Sequence, residues 1–338
     1  MNNEYYSNLA DEYYKQLNTF FSTFILNEGT QYISYGNEDS SNRFVEVIKH
    51  NQQLSNTAYF NANLNSFIHY TSIDGLLNIL NSKEIRIYNL DKLNDPTEMF
   101  YAANKLNIIY DTNKIKNFKS NYFVHSMCYY NEQFQKDDIN LWRLYANEGE
   151  GVGIVYEIEN LDSVWQDVFL GKVIYGNDND EYKKLQDFVE FHKNFNIKYN
   201  NFIKDVPQFI WMLLLLHKNN IWSIENEHRL IIAFKSNHPY EKLSDNFTLA
   251  KRLFHSVYKG RAVSYITLPL STSVSNFQKL VPPWENIPAI RITKIILGYN
   301  ITINAMEQIM SLVNFISTNS FGYNIPVEIT HLQNELKV

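Results

Sequence analysis

The stretch from Trp222 to Phe234 reads Trp-Ser-Ile-Glu-Asn-Glu-His-Arg-Leu-Ile-Ile-Ala-Phe, and the interpretation of the whole chain depends on it. Its second half is a short apolar run of the kind that forms a buried strand. Strand side chains alternate between two faces, so Glu225, Glu227 and Arg229 are expected on one face. A core tolerates such charges when they pair or line a cleft. A structural ion-pair network and a functional site therefore both stay open.

Composition and charge limit the classes of protein that the chain can represent. The 338 residues carry a net charge of −6, which disfavours a broad grip on nucleic-acid backbone, although it leaves room for a local basic groove. The single cysteine, Cys128, excludes an internal disulfide and a cysteine metal site. The histidines lack metal-ligand spacing, so we expect no metal. Without a signal-peptide pattern or a long apolar span, we expect a soluble cytoplasmic protein that does not enter a membrane.

The first part of the chain predicts a separate helical element. Apolar side chains recur at helical spacing over residues 4–26, and the following segment up to residue 62 is polar. We interpret residues 1–62 as an N-terminal helical extension and residues 63–338 as one α+β domain. The extension could bind a regulatory partner or support a homo-oligomer, and its composition does not choose between these roles.

The remaining elements mix strands and helices without strict alternation. A strand over 67–71 leads into a helix capped by Thr71 or Ser72, and further strands are predicted over 85–88, 121–130, 152–157, 168–175, 261–268 and 291–298. Residues 243–259 are predicted to be helical. This order favours an α+β fold with a mixed, mostly antiparallel sheet and flanking helices.

Four islands of sequence resemble a known family. They are His69-Tyr-Thr-Ser-Ile-Asp-Gly-Leu-Leu-Asn-Ile-Leu80, Leu93-Asn-Asp-Pro-Thr-Glu98, Leu141-Trp-Arg-Leu-Tyr-Ala146 with Gly151-Val-Gly-Ile154, and Lys218 with Trp222, Glu225, Glu227 and Arg229, followed by Ile295-Ile-Leu-Gly298. The chain resembles the bacterial family catalogued as domain of unknown function 2971 over roughly residues 64–300. It departs from the pattern after Cys128, where Tyr129-Tyr130 stands in place of an aromatic residue and a serine.

A second resemblance concerns the fold and the chemistry. The opening His69-Tyr-Thr71 and the late Glu225-Asn-Glu227 are similar to elements of ADP-ribosyltransferase-fold proteins of the His–Tyr–Glu kind. That resemblance implies NAD as a substrate and an oxocarbenium-like transition state, which a carboxylate stabilises. It implies that Glu227 is the catalytic carboxylate and that Glu225 orients or deprotonates the acceptor.

The same resemblance implies the residues that bind NAD. His69 and Thr71 would hold the adenosine half, and Arg229 or Arg86 would face the pyrophosphate. The nicotinamide would stack on aromatic residues, for which the candidates are Tyr70, Trp142 and Tyr145. Asn94 and Asp95 suit a structural turn that leads into a helix, and a role in lining the cleft stays open for them.

These expectations leave more than one function open. The first is an NAD-consuming ADP-ribosyltransferase-like bacterial protein, a toxin or antiphage effector that modifies nucleic acid or protein. The alternative is a non-catalytic module of the same fold that binds a nucleotide or a partner protein. A third interpretation is that the charges only hold the edge of the sheet.

Overall fold

The computed structural model divides the chain into two compact units. Unit 1 comprises Met1–Asn61, Leu93–Lys119 and Gly171–Ile224, and unit 2 comprises Ala62–Lys92, Ser120–Leu170 and Glu225–Val338. The residues that the structure describes are 3–24, 54–90, 100–108, 118–131, 138–165, 167–203, 206–233, 252–258, 260–272 and 287–333. The division into an extension over residues 1–62 and a domain over residues 63–338 stays a prediction.

Helices and strands alternate irregularly along the described segments. The α-helices are α1 (Asn3–Phe20), α2 (Ile73–Ser82), α3 (Tyr101–Lys105), α4 (Ile139–Tyr145), α5 (Asp180–Lys198), α6 (Gln208–Leu214) and α7 (Ile303–Ile316). The predicted cap of α2 is Ser72, whose side chain accepts a hydrogen bond from the backbone N–H of Gly75. None of the described helices is long and apolar enough to cross a membrane.

The strands confirm the α+β class. They are β1 (Ser66–Thr71), β2 (Glu84–Asn89), β3 (Tyr122–Tyr129), β4 (Val152–Ile158), β5 (Val168–Lys172), β6 (Ile174–Tyr175), β7 (His217–Lys218), β8 (Glu227–Ala233), β9 (Leu253–Tyr258), β10 (Arg261–Pro269), β11 (Ile290–Leu297) and β12 (Val327–Ile329). Ten of them form one sheet with the order β12-β11-β4-β1-β3-β2-β10-β9, in which β8 pairs with β3 and β5. Most pairs are antiparallel, as predicted, while β11 and β12 run parallel.

A fork opens on one edge of β3. Strand β1 pairs with β3 at Cys128 and Tyr129, and β2 pairs with the same edge at Phe123 and Val124. The opposite edge of β3 is occupied by β8 over its whole length. Strands β1 and β2 therefore diverge beside residues 125–127, because β1 turns to β4 and β2 turns to β10. At about 3.4 Å per residue, the opening spans about 10 Å of β3.

The predicted helix over residues 243–259 is wrong at its end. Residues 253–258 form strand β9, which pairs with β10 from Tyr258↔Arg261 to Leu253↔Ile266. Between them Gly260 has φ = +75°, a conformation that glycine adopts without steric cost and that a tight turn requires. The turn brings β10 back alongside β9. Leu253 and Val257 have helical spacing, but the pairing of their strand with β10 decides the conformation.

Unit 1 packs α1 against α5 through aromatic side chains. The Tyr13 ring lies 5.1 Å from the Phe195 ring and 5.4 Å from the Phe191 ring. Its hydroxyl forms a hydrogen bond of 2.8 Å with Nδ1 of His192. The N-terminal helix thus shares a core with the helix over residues 180–198, which the sequence alone did not indicate.

The buried His217 of unit 1 predicts a loss of stability in acid. Its Nε2 lies 2.8 Å from the Tyr59 hydroxyl, and burial lowers its pKa from 6.5 to about 3. The unfolded chain therefore binds more protons between these values, so stability is complete above about pH 6.5 and declines as the pH falls towards 3. We expect this residue to remove about 1.4 kcal/mol per pH unit inside that window.

Urea unfolding at pH 7 and pH 5 checks the prediction, with His217→Gln as the matched variant. The glutamine carbonyl can still accept a hydrogen bond from Tyr59 but does not titrate. The difference between the two pH values should shrink in the variant by about 2 kcal/mol. Equal pH dependence in both proteins would contradict a neutral, buried His217.

Candidate functional site

The Glu225-Asn-Glu227 segment is a bend at the start of β8. A 3₁₀ turn over Asn220–Glu225 ends at Glu225, and Asn226 follows with φ = +41°. Asparagine tolerates this left-handed conformation better than most residues. The alternation predicted between Glu225 and Glu227 is therefore interrupted, because only Glu227 belongs to the strand. Both side chains are nevertheless buried.

Glu227 forms a two-point ion pair with Arg229. The Arg229 Nε donates to Glu227 Oε1 at 2.8 Å, and Nη2 donates to Oε2 at 3.1 Å. The two residues are two apart on β8, so both point to the same sheet face, as predicted. The Arg229 side chain is 1% exposed. This geometry is the strong, planar form of the pair, and it holds the Glu227 carboxylate in one orientation.

Glu225 is held by an aromatic residue of another element. The Tyr145 hydroxyl, at the end of α4, donates a short hydrogen bond to Glu225 Oε1. Tyr145 is half-buried, whereas Glu225 is buried. The structure therefore brings Glu225 and Tyr145 together, two residues that the sequence analysis named for different roles.

Strand register shows which residues share a face with Glu227. Glu227 lies opposite Cys128 on β3, and Cys128 lies opposite Ile68 on β1. Directly opposed residues of antiparallel strands point to the same face. We call this face, which carries Glu227 and Arg229, the carboxylate face. Tyr70, two residues beyond Ile68, lies on it as well.

Helix α4 covers part of the carboxylate face. Trp142 is completely buried there, and its ring meets that of Tyr70 edge to face at 5.0 Å. Both belong to a core cluster with Ile68 and Cys128, and Tyr145 packs against the edge of that cluster. Trp142 thus fills the core, while Tyr145 lies nearer to solvent.

A neighbouring part of the carboxylate face is open to solvent. Ser126 is exposed although it lies on β3, inside the sheet, where it is directly opposite Arg229. Arg86 points to this face from β2, because Tyr88, two residues further on, pairs with Val124 of the same face. Ser126 is therefore an exposed position on the carboxylate face, which also carries the buried Arg229 and the half-buried Arg86.

His69 lies on the other face of the sheet, at the fork. It follows Ile68 directly, so its side chain points away from Glu227. Its Nδ1 lies 3.1 Å from the Ser126 carbonyl oxygen, and Nδ1 of His125 lies 3.2 Å from that of Arg86. A carbonyl only accepts, so both Nδ1 atoms carry hydrogen. The two imidazole rings lie 4.4 Å apart beside the opening between β1 and β2.

Tyr156 completes the surroundings of His69. Its ring is stacked at 6.4 Å from the His69 ring, and burial raises the pKa of its phenol well above the ordinary value. Thr71 is the last residue of β1 and is half-buried. Asn94 and Asp95 lie outside the described residues. Of the predicted site residues, the structure therefore gathers Tyr70, Arg86, Trp142, Tyr145, Glu225, Glu227 and Arg229 on the carboxylate face and places His69 on the other.

Sequence patterns did not identify Ser126, Tyr88 and Tyr265 as residues of the carboxylate face. Two polar residues, His125 and Ser126, interrupt the otherwise apolar run Phe123-Val-His-Ser-Met-Cys128, and the serine was a signal for an uncovered position. Tyr88 and Tyr265 lie directly opposite each other on β2 and β10. A chain this rich in tyrosine offers no local signal that would distinguish them from core residues.

Close backbone contacts explain two glycines of the resembling islands. A Cβ atom on Gly151 would lie 2.3 Å from the carbonyl oxygen of Thr71, and one on Gly298 would lie 2.2 Å from that of Gly149. Real Cβ atoms do not approach backbone so closely. These glycines allow the loop after α4 to pack against β1 and β11, which fixes the position of the helix that carries Tyr145.

Comparison with known proteins gives one match. Residues 141–230 match the family model described as "Protein of unknown function (DUF2971)". No curated protein and no solved structure matches the chain. The matched segment begins in α4 and ends in β8, so it contains Tyr145, Glu225, Glu227 and Arg229. The match confirms that this chain resembles the DUF2971 family, through the segment that carries both carboxylates.

Proposed function

We propose that the protein is an NAD-consuming, ADP-ribosyltransferase-like enzyme whose reaction takes place at the carboxylate face. The observation that carries this proposal is the burial of Glu225 and Glu227 beside an exposed Ser126. Buried carboxylates beside a solvent-exposed part of the same sheet face are typical of sites that stabilise developing positive charge. The sum of Glu225, Glu227 and Arg229 is one negative charge when all three are ionised.

The chemistry that we propose is the transfer of ADP-ribose. The bond between nicotinamide and C1′ of the ribose breaks, and its electron pair leaves with nicotinamide. The resulting oxocarbenium-like C1′ is stabilised by Glu227, which Arg229 holds in place. A nucleophile of the acceptor then bonds to C1′, and its proton passes to Glu225.

The remaining side chains of the face supply binding contacts. Arg86 suits the pyrophosphate, because a guanidinium binds phosphate oxygens through two parallel hydrogen bonds. Tyr145 is the ring that can contact nicotinamide, since Trp142 is enclosed by the core. A ligand that touches both Glu227 and His69 would have to pass through the fork between β1 and β2.

The cellular role follows from the same proposal. Transfer of ADP-ribose to a nucleic acid or to a protein would make this bacterial protein a toxin or an antiphage effector. We propose that the reaction takes place in the cytoplasm, where NAD is available.

A non-catalytic binding module remains the second candidate, and one observation favours it. Arg229 engages both carboxylate oxygens of Glu227, which is also the geometry of a structural ion pair. A binding module would show a rise in melting temperature with NAD and would release no nicotinamide.

The test is the release of nicotinamide from NAD by the full chain, compared with Glu225→Gln. The amide oxygen of glutamine can still accept the Tyr145 hydroxyl, so the fold should persist while the base is lost. We expect the rate to fall about 10²-fold, the usual contribution of a general base.

Glu157→Gln is the matched control for that measurement. Glu157 also accepts a hydrogen bond from an arginine, with Arg291 Nη2 at 2.8 Å, but it is half-buried and lies on β4, which β1 separates from β3. The Glu157→Gln variant should release nicotinamide at the same rate as the unaltered protein. Release of nicotinamide at an unchanged rate by Glu225→Gln would contradict the role of this carboxylate. No release by the unaltered protein, with or without nucleic acid or protein acceptors, would contradict the enzyme.

A further inference from the structure

A row of aromatic rings leads from the candidate site to the edge of the sheet. Tyr88 on β2 lies opposite Val124 on β3, Tyr265 on β10 lies opposite Tyr88, and Phe254 on β9 lies opposite Tyr265. Because directly opposed residues share a face, all three rings lie on the carboxylate face. The row begins next to the strand that carries Ser126 and ends at edge strand β9.

The three rings form a nearly continuous surface. The ring centroids of Tyr88 and Tyr265 are 5.5 Å apart, and those of Tyr265 and Phe254 are 5.6 Å apart with an interplanar angle of 25°. Tyr88 and Tyr265 are half-buried, and the Phe254 side chain is 44% exposed. An aromatic ring so exposed, in line with two others, is placed to stack on a flat ligand.

A guanidinium adds positive charge to the row. The Cζ atom of Arg86 lies 4.8 Å from the centroid of the Tyr265 ring, within the range of a cation–π contact. Arg86 thereby presents a flat cation beside the rings, at the end of the row nearest to Ser126. We call Arg86, Tyr88, Tyr265 and Phe254 the aromatic platform.

We infer that the aromatic platform binds the bases of a single-stranded nucleic acid and that this strand is the acceptor. Rows of aromatic side chains on a sheet face stack two or three bases in single-strand-binding domains, and a mononucleotide would need only one ring. Among the described strands β9 is the last of the sheet, so a polymer bound to the row can extend beyond it. The role of the strand as acceptor rests on the proposed function, whereas its binding to the platform does not.

The charge of the protein fits this mode of binding. A net charge of −6 disfavours a broad grip on phosphates, so stacking should supply most of the affinity. With a single phosphate contact, a tenfold rise in salt should weaken binding only about fivefold. A protein that grips many phosphates would lose orders of magnitude over the same range.

The experiment compares two exposed residues on opposite faces of β9. A labelled single strand of about 12 nucleotides, in DNA and RNA forms, is titrated with the full chain and followed by fluorescence anisotropy. Phe254→Ala should weaken binding about tenfold, because it removes one stacking ring. Val257→Ala is the matched control: Val257 is 76% exposed, but it points to the other face, so its affinity should not change.

A second variant at Phe254, a duplex ligand and the KM for NAD complete the experiment. If the alanine variant folds poorly, Phe254→Leu takes its place. Leucine retains an apolar side chain but has no ring, so binding should again weaken about tenfold. The duplex of the same sequence should bind more weakly, since its bases are already stacked. Equal binding by Phe254→Leu and Val257→Ala, or no binding of either single strand, would overturn the inference. A higher KM for NAD in Phe254→Leu with unaltered strand binding would also overturn it, because the platform would then hold the adenine of NAD.

Failure of this inference can be told apart from failure of the proposed function. Nicotinamide release without strand binding would support the enzyme and contradict a nucleic-acid acceptor. Strand binding that depends on Phe254, without nicotinamide release, would support the binding role of the platform and contradict the enzyme.

Discussion

Replacement of Arg229 by methionine is expected to lower the free energy of unfolding by about 3–5 kcal/mol. The reason is the burial of its partner: Glu227 would keep a carboxylate inside the protein without the two hydrogen bonds that Arg229 donates at 2.8 and 3.1 Å. Methionine retains much of the apolar stem of arginine and leaves little cavity. The lost stability therefore measures the contribution of the charge and its hydrogen bonds. Urea unfolding at pH 7, followed by circular dichroism, measures it.

Arg291→Met is the matched control for that loss. Arg291 also pairs with a glutamate, Glu157, at 2.8 Å, but both side chains are more than a quarter exposed. Solvent screens such a pair, and we expect a change below about 1 kcal/mol. Replacing both partners, as Glu227→Leu with Arg229→Met, should recover part of the stability, because no buried charge remains. Equal losses for Arg229→Met and Arg291→Met would contradict a buried ion pair at the start of β8.

Replacement of Glu227 by glutamine is expected to reduce the rate of nicotinamide release by about 10²–10³-fold, the usual effect of removing one group that stabilises transition-state charge. Glutamine has nearly the same shape, but it is neutral and can accept only through its amide oxygen. The oxocarbenium-like C1′ would therefore lose its nearest fixed negative charge. The rate is measured with the full chain at saturating NAD, so that a change in binding does not enter.

The same variant also tests how far Glu227 serves the fold. Because Arg229 would lose one hydrogen bond and its counter-charge, the melting temperature is measured alongside the rate, and rates are compared at a temperature where each variant is folded. Glu157→Gln again provides an exchange of a paired glutamate, on strand β4, which β1 and β3 separate from β8. A folded Glu227→Gln protein that released nicotinamide at the original rate would remove Glu227 from the mechanism and leave it a structural residue.

Local sequence patterns predicted most elements because each carried its own signal. The strand over β1, the cap at Ser72, and the helix with Trp142 and Tyr145 were all indicated by spacing within a few residues. The exception was β9, where apolar residues also fit a helical period. Only its pairing with β10 across the Gly260 turn makes it a strand.

The candidate site depended more strongly on tertiary structure. Glu227 and Arg229 could be placed on one face from their spacing, since both lie in one strand. Glu225 could not, because Asn226 adopts a left-handed conformation that ends the alternation. Its contact with Tyr145 joins residues that are 80 positions apart. No period within the sequence encodes such a pair.

The sequence by itself determined the α+β class, the segment that resembles the DUF2971 family, and the charged strand at its end. Each of these follows from side chains that are neighbours along the chain or repeat with the period of a helix or strand. Only the tertiary structure decided that His69 and Glu227 lie on opposite faces, that Ser126 is exposed, and that Phe254, Tyr265 and Tyr88 form one row. Those relations depend on the register between strands, which long-range pairing sets and local sequence does not.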